Sequence, residues 1–166
     1  MSNLTYHEQI DKENILRLRE LIRGLPPFCA DFFRGIEPRT SSRTRIAYAY
    51  DLHVFFDFLH IENPALASLV IKDITLDHLE QLSVTDLEEY MEYLKYRFND
   101  KNREVMNKER GIMRKISSLR SFYNYFYRNE RIKNNPAALV RLPKLHDKEI
   151  IRLDVDEVAL LLDEVE

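Results

Sequence analysis

Ile112, Ile116, Leu119, Tyr123 and Phe126 recur at spacings of four, three, four and three. That interval keeps side chains on one side of an α-helix and would scatter them over both faces of a strand. A helix with so long an apolar stripe must bury it against other elements. A second stripe of the same period, Thr44, Tyr48, Leu52, Phe55 and Leu59, supplies a partner, and Phe56 and Phe58 widen it. Only three glycines, at 24, 35 and 111, are spread over 166 residues. A compact β-protein needs more turn glycines than that, so the expected class is all-α.

Punctuation between the stripes divides the chain. Ile10 to Arg23 reads as an amphipathic helix stopped at Gly24, with Pro26-Pro27 opening a short aromatic helix from Phe28 to Arg34. Thr40-Ser41-Ser42 offers N-cap chemistry for the Thr44 helix, which Asn63-Pro64 closes. A looser connection follows, with a short helix at Leu76–Leu82. Thr85 to Glu88 has the form of a capping box, starting a helix that turns Leu87, Met91 and Leu94 inward and ends by Asn99. The stripe first described occupies a helix from about Val105 to Arg128. Asn134-Asn135-Pro136 marks a further turn, Leu142 to Arg152 an extended basic linker, and Asp154 the cap of a final acidic amphipathic helix. The divisions expected are an N-terminal helical extension (1–38), a helical domain (39–141), a linker (142–153) and the first helix of a further, truncated domain (154–166).

The formal net charge is −3, yet residues 101–152 hold 14 Lys and Arg against 5 Asp and Glu. A phosphate backbone responds to local positive field and not to the average. Arg110, Arg114, Ser117 and Ser121 share the helical spacing of the core stripe but lie on another side of the helix, flanked by Lys108, Lys115 and Ser118. A charged face of this kind is compatible with simple solvation. Arginines mixed with small hydroxyl residues also allow close approach to a duplex, with phosphate and base edges in reach.

Catalytic and cofactor chemistry is not written in these residues. The five histidines, at 7, 53, 60, 78 and 146, have no metal-ligand spacing. No glycine-rich phosphate loop and no nucleophile elbow occur, and Glu88, Glu89 and Glu92 form a solvated helix face. Tyr123, Tyr125 and Tyr127 read as core and rim aromatics. No cofactor, metal or catalytic residue is therefore expected. The single Cys29 suits a reducing cytoplasm, Met1 to Ile10 lacks the pattern of a signal peptide, and no apolar run reaches the length of a membrane span.

The order of motifs carries a resemblance. Thr44…Tyr48…Asp51-Leu52…Phe55…Phe58-Leu59 is followed by Thr85-Asp86-Leu87…Tyr90…Leu94, then Arg114-Lys115-Ile116-Ser117-Ser118-Leu119-Arg120-Ser121-Phe122-Tyr123, then Asn135-Pro136-Ala137, Leu142-Pro143-Lys144 and Leu153…Asp156-Glu157-Val158. This resembles the N-terminal core-binding, SAM-like domain of tyrosine recombinases, the phage-integrase and Xer family. The N-terminal extension and the long Pro64–Leu82 connection resemble the single-recombinase Xer subfamily of Gram-positive bacteria. The resemblance implies an orthogonal four- to five-helix bundle forming half of a clamp on duplex DNA. Arg43, Thr44, Arg45 and Ala47 would face DNA from one helix, and Lys108, Arg110, Arg114, Lys115, Ser117 and Ser118 from another. Lys144 and Lys148 would meet phosphate from the linker. The family's catalytic groups lie in a C-terminal domain beyond these residues, so none is expected here, and the full-length partners would be other protomers in a tetrameric synapse. Two other classes stay open from sequence: a helical protein–protein adaptor, and a small DNA-binding regulator, which would need two short helices joined by a tight turn.

Overall fold

The computed structural model describes residues 3–142 and 144. The linker expected beyond Leu142, apart from Lys144, and the final helix expected at 154–166 lie outside the described residues. Six α-helices occur among the described residues: α1 (Tyr6–Arg23), α2 (Cys29–Ile36), α3 (Ser42–Glu62), α4 (Leu76–Glu80), α5 (Val84–Lys95) and α6 (Glu109–Arg128). Two-residue strands β1 (Arg97–Phe98) and β2 (Glu104–Val105) form a small antiparallel clip between α5 and α6. Short 3-10 turns follow α2, precede α4 and close the bundle at Pro136–Leu139.

Side-chain caps fix where the helices begin. Thr5 accepts from the Glu8 backbone at 3.2 Å, so α1 starts a turn earlier than the apolar pattern shows. Its first turn is exposed and polar and leaves no periodic trace. Ser41 caps α3, accepting from the Thr44 N–H at 3.1 Å. The box expected at Thr85–Glu88 sits two residues earlier. Ser83 accepts from the Asp86 N–H at 3.1 Å, and the Asp86 carboxylate accepts from the Ser83 N–H at 2.8 Å. Aspartate serves the purpose glutamate usually serves, which is why the Thr–Glu pair looked better. Thr75 and His78 make a second reciprocal cap on α4.

The expected helix start at Val105 is also corrected. Val105 pairs with Arg97 in the clip, and Lys108 takes the N-cap position of α6. The turn joining the strands is stiff. Asn99 Oδ1 accepts from the Lys101 and Arg103 amides at 3.0 and 2.9 Å, and Asn102 sits at φ 58. Asn tolerates this left-handed backbone better than most residues.

Every member of the α6 stripe is buried: Ile112, Ile116, Leu119, Tyr123 and Phe126 are 4% exposed or less. Aromatic rings from three helices close around them. Phe32 meets Phe122 at 5.2 Å between centroids, Phe28 meets Phe126 at 5.7 Å, and Phe55 meets Tyr90 at 5.1 Å, all edge-on. Edge-to-face pairs of this kind add to plain burial. Leu18 and Leu21 of α1 and Cys29, Phe32, Phe33 and Ile36 of α2 belong to the same core as α3, α5 and α6. One continuous core thus crosses the boundary expected at residue 38. Burial pushes the Cys29 thiol far up, so it stays protonated inside that core.

Gly35 is required by a close approach. A Cβ there would overlap the Tyr125 ring where α2 meets α6. Gly35→Ala should therefore cost about 1–3 kcal/mol by overpacking. The cost should shrink in a Tyr125→Ala background when both are measured by urea unfolding. An equal cost in both backgrounds would place the strain elsewhere.

Candidate nucleic-acid interface

The crossing of α3 and α6 is organised by a carboxylate. Asp51 is 2% exposed. Its Oδ2 accepts from Arg114 Nη1 at 2.9 Å and from Ser118 Oγ at 2.6 Å, and its Oδ1 accepts from Lys115 Nζ at 3.2 Å. Successive turns of α6 place 114, 115 and 118 on adjoining positions, so one side chain on α3 can meet all three. Burying a carboxylate is tolerable only with such partners. Tyr90 of α5 is fully buried beside the cluster, and burial raises its hydroxyl well above the usual tyrosine range.

This geometry places part of the expected polar stripe inside the α3–α6 contact. Arg114, Lys115 and Ser118 are 7%, 2% and 2% exposed, and they serve the α3–α6 contact. Ala47 is 1% exposed. Arg45 is 7% exposed, and its guanidinium donates to the Glu37 and Thr40 carbonyls and to the Thr40 hydroxyl, closing the turn after α2. An arginine fork suits this work because it can satisfy several carbonyls at once. Helical spacing located these residues on one face, but it could not show that the face meets another helix.

The other expected residues remain accessible. Arg43, Lys108, Ser117 and Lys144 are exposed, and Thr44 and Arg110 are half-buried. Thr44 is tied to the Ser41 cap at 3.1 Å. Lys144 lies over a groove shared with Arg141, Lys95, Glu88, Glu92 and Glu109, so its surroundings are of mixed charge. Lys148 lies outside the described residues.

The two helices run in opposite senses through their contact. Asp51 reaches residues 114–118, whereas Tyr48, one turn earlier, shares a groove with Ser121, Asn124, Tyr125 and Arg128. Arg43 and Thr44 therefore lie toward the end of α6, and Lys108 and Arg110 toward the opposite end of the crossing. At the Arg43 end of the crossing the polar groove, about 520 Å³, also takes Arg39 and Thr40. Arg39 was not singled out from sequence because it lies in the turn between helices, and Arg128 was passed over although Asn124 and Arg128 continue the 110, 114, 117, 121 spacing.

Other cations of the basic segment hold the fold. Arg120 Nε donates to the Ala137 carbonyl at 3.2 Å, and Nη2 donates to that of Val140, which pins the final turn. Arg131 pairs with Asp31 at 2.5 Å and stacks over Phe126. That pair holds the Asp31 carboxyl below its ordinary range. Tyr123 is buried, and its hydroxyl donates to the Leu79 carbonyl at 2.7 Å, the packing role expected for it.

The chain belongs to the phage integrase SAM-like domain family, whose sequence pattern it matches over residues 25–142. It is similar to tyrosine recombinase XerC of Caldanaerobacter subterraneus, with 32% identity over 151 residues, 85% of this chain and 40% of that protein. XerC of Anoxybacillus flavithermus is 32% identical over 113 residues, 68% of this chain and 31% of that protein. A tyrosine recombinase of Pseudothermotoga lettingae is 35% identical over 107 residues, 64% of this chain and 31% of that protein. The chain thus spans less than half the length of these relatives. No solved structure matches it. Among the described residues, no helix is long and apolar enough to cross a membrane.

Replacing Asp51 by Asn would leave two cations buried side by side. The expected loss of unfolding free energy is about 3–5 kcal/mol, and Lys115→Met in the same chain should recover part of it. Urea midpoints with an unchanged slope would check this. A loss below about 1 kcal/mol would mean the cluster is dispensable.

Proposed function

We propose that this chain is the duplex-DNA-gripping part of a site-specific tyrosine recombinase or integrase. The observation that carries the reading is the family match over residues 25–142, which takes in α2 to α6 and therefore the whole α3–α6 crossing. The names of the relatives, tyrosine recombinases, support recombination as the activity of the full-length protein, and the partners proposed for it are other protomers in a tetrameric synapse. Integration of a mobile element and resolution of chromosome dimers are both served by such a part.

The physical division of labour follows from burial. Buried Arg114, Lys115 and Ser118 set the angle and register of the two helices. Exposed Arg43, Lys108 and Ser117, with Arg39 and Arg128 on the polar groove, are the groups that meet phosphate or base edges. Residues 110 and 121 are separated along α6 by roughly 16 Å of helix. That length is comparable with the major-groove width of about 12 Å.

Anisotropy of a labelled duplex at about 50 and 200 mM salt tests the reading. Each phosphate contact adds about −0.9 to the salt slope, so two contacts already give roughly a tenfold loss over that range. Arg43→Ala and Lys108→Ala should each flatten the slope by about 0.9. Arg114→Ala should lower stability instead, because Asp51 loses one of its three donors and the α3–α6 contact loses a buried side chain. A chain without low-salt affinity for duplex would favour the protein–protein adaptor reading.

A further inference from the structure

A second cavity, about 600 Å³, opens on the side of α3 that faces α1 and the β1–β2 clip. Its walls carry Arg17, Arg97, Lys101, Arg103 and Lys115, with His53 and Tyr50 between them. Asp57 and Asp100 are the acidic groups facing it. Five cationic side chains therefore line the wall with these two carboxylates, while Glu20 pairs with Arg17 and Asp51 with Lys115.

The site is built rather than splashed on the surface. Arg97 and Lys115 are 5% and 2% exposed, so two cations are held in the wall, where low dielectric strengthens their field. Lys115 donates to Asp51, but that single carboxylate also faces Arg114, so the three groups together carry one net positive charge. Arg17 is fixed by Tyr50, whose hydroxyl accepts from Nε and Nη2 at 3.1 and 2.7 Å, and by Glu20 at 3.1 Å. His53 Nε2 donates to the Leu21 carbonyl at 2.7 Å, which locks α1 to α3 along the cavity edge. Lys101 and Arg103 project from the stiff turn held by Asn99. The backbone that carries these two side chains and the Arg17 guanidinium are thus already ordered before an anion arrives.

We propose that this cavity binds a phosphate group, supplied by the backbone of the duplex that the chain grips. The inference rests on the DNA reading for the source of the phosphate, and on the cavity alone for its chemistry. A phosphate presents several acceptor oxygens, which suits converging guanidinium and ammonium donors. The site lies off the α3–α6 polar groove, so it extends the footprint toward the N-terminal helix.

The test uses the whole 166-residue chain and the double variant Lys101→Ala/Arg103→Ala, whose two side chains are exposed on the turn. A charge-matched control, Lys72→Ala/Lys133→Ala, removes two exposed cations that do not line the cavity. Duplex binding is measured against salt, and inorganic tripolyphosphate is titrated while the His53 and arginine side-chain NMR signals are followed. A salt slope flatter by about 0.9 or more in the double variant, relative to the control, supports the site with a backbone phosphate as its ligand. An unchanged slope with tripolyphosphate shifts that vanish in the double variant supports a site for free phosphates. Unchanged slope and no such shifts overturn the site. If the unmodified chain binds no duplex, the functional reading fails, and the tripolyphosphate arm still decides the cavity.

Discussion

The structure depends on how one buried carboxylate is neutralised. Asp51 sits where α3 meets α6 and takes a bond from each of three α6 side chains. An apolar contact between two helices can slide by a turn at little cost. A carboxylate that must find Arg114, Lys115 and Ser118 together admits one register. Removing any partner exposes the others to the penalty of unpaired burial, so the cluster acts as a unit. The aromatic core supplies the bulk of the hydrophobic drive, and the Asp51 cluster specifies which arrangement of helices it stabilises.

That arrangement determines what the surface can do. The basic segment 101–152 looked like a single DNA-facing field, yet among the described residues its cations divide by what they bond. Arg114, Lys115, Arg120 and Arg131 bond carboxylates or carbonyls within the fold. Lys101, Arg103, Lys108 and Arg128 are exposed. Among the described residues the exposed positive field is thus smaller than the sequence count, and apart from Lys108 these exposed cations line two concave places. One is the groove around Tyr48 and Ser121; the other is the cavity between α1 and the clip.

The helices and their buried faces were legible in the sequence because burial and the 3.6-residue period are the same fact seen twice. The α6 stripe is buried to its last member, and Ser41 and Asn63 bound α3 as capping chemistry requires. The clip was missed because two-residue strands leave no alternation to read, although Asn99 to Arg103 is a run of turn-forming and charged residues. Burial of Arg114 and Lys115 was illegible for another reason. A charge on a helix reads as solvated unless its counter-charge is known, and Asp51 lies more than sixty residues away. The resemblance singled out these two helices for DNA contact, but residue spacing within each could not say which side of one faced the other.

The central claim is that α3 and α6 present their exposed cations to duplex DNA while their buried cations stay on Asp51. Amide and arginine Nε–H NMR signals followed during titration with duplex test this most directly. Shifts are expected at Arg43, Lys108, Ser117 and Arg128, with the Arg114 side-chain signal still protected and bonded. Shifts confined to the acidic face of α5, or release of the Arg114 side chain into solvent exchange on binding, would contradict it.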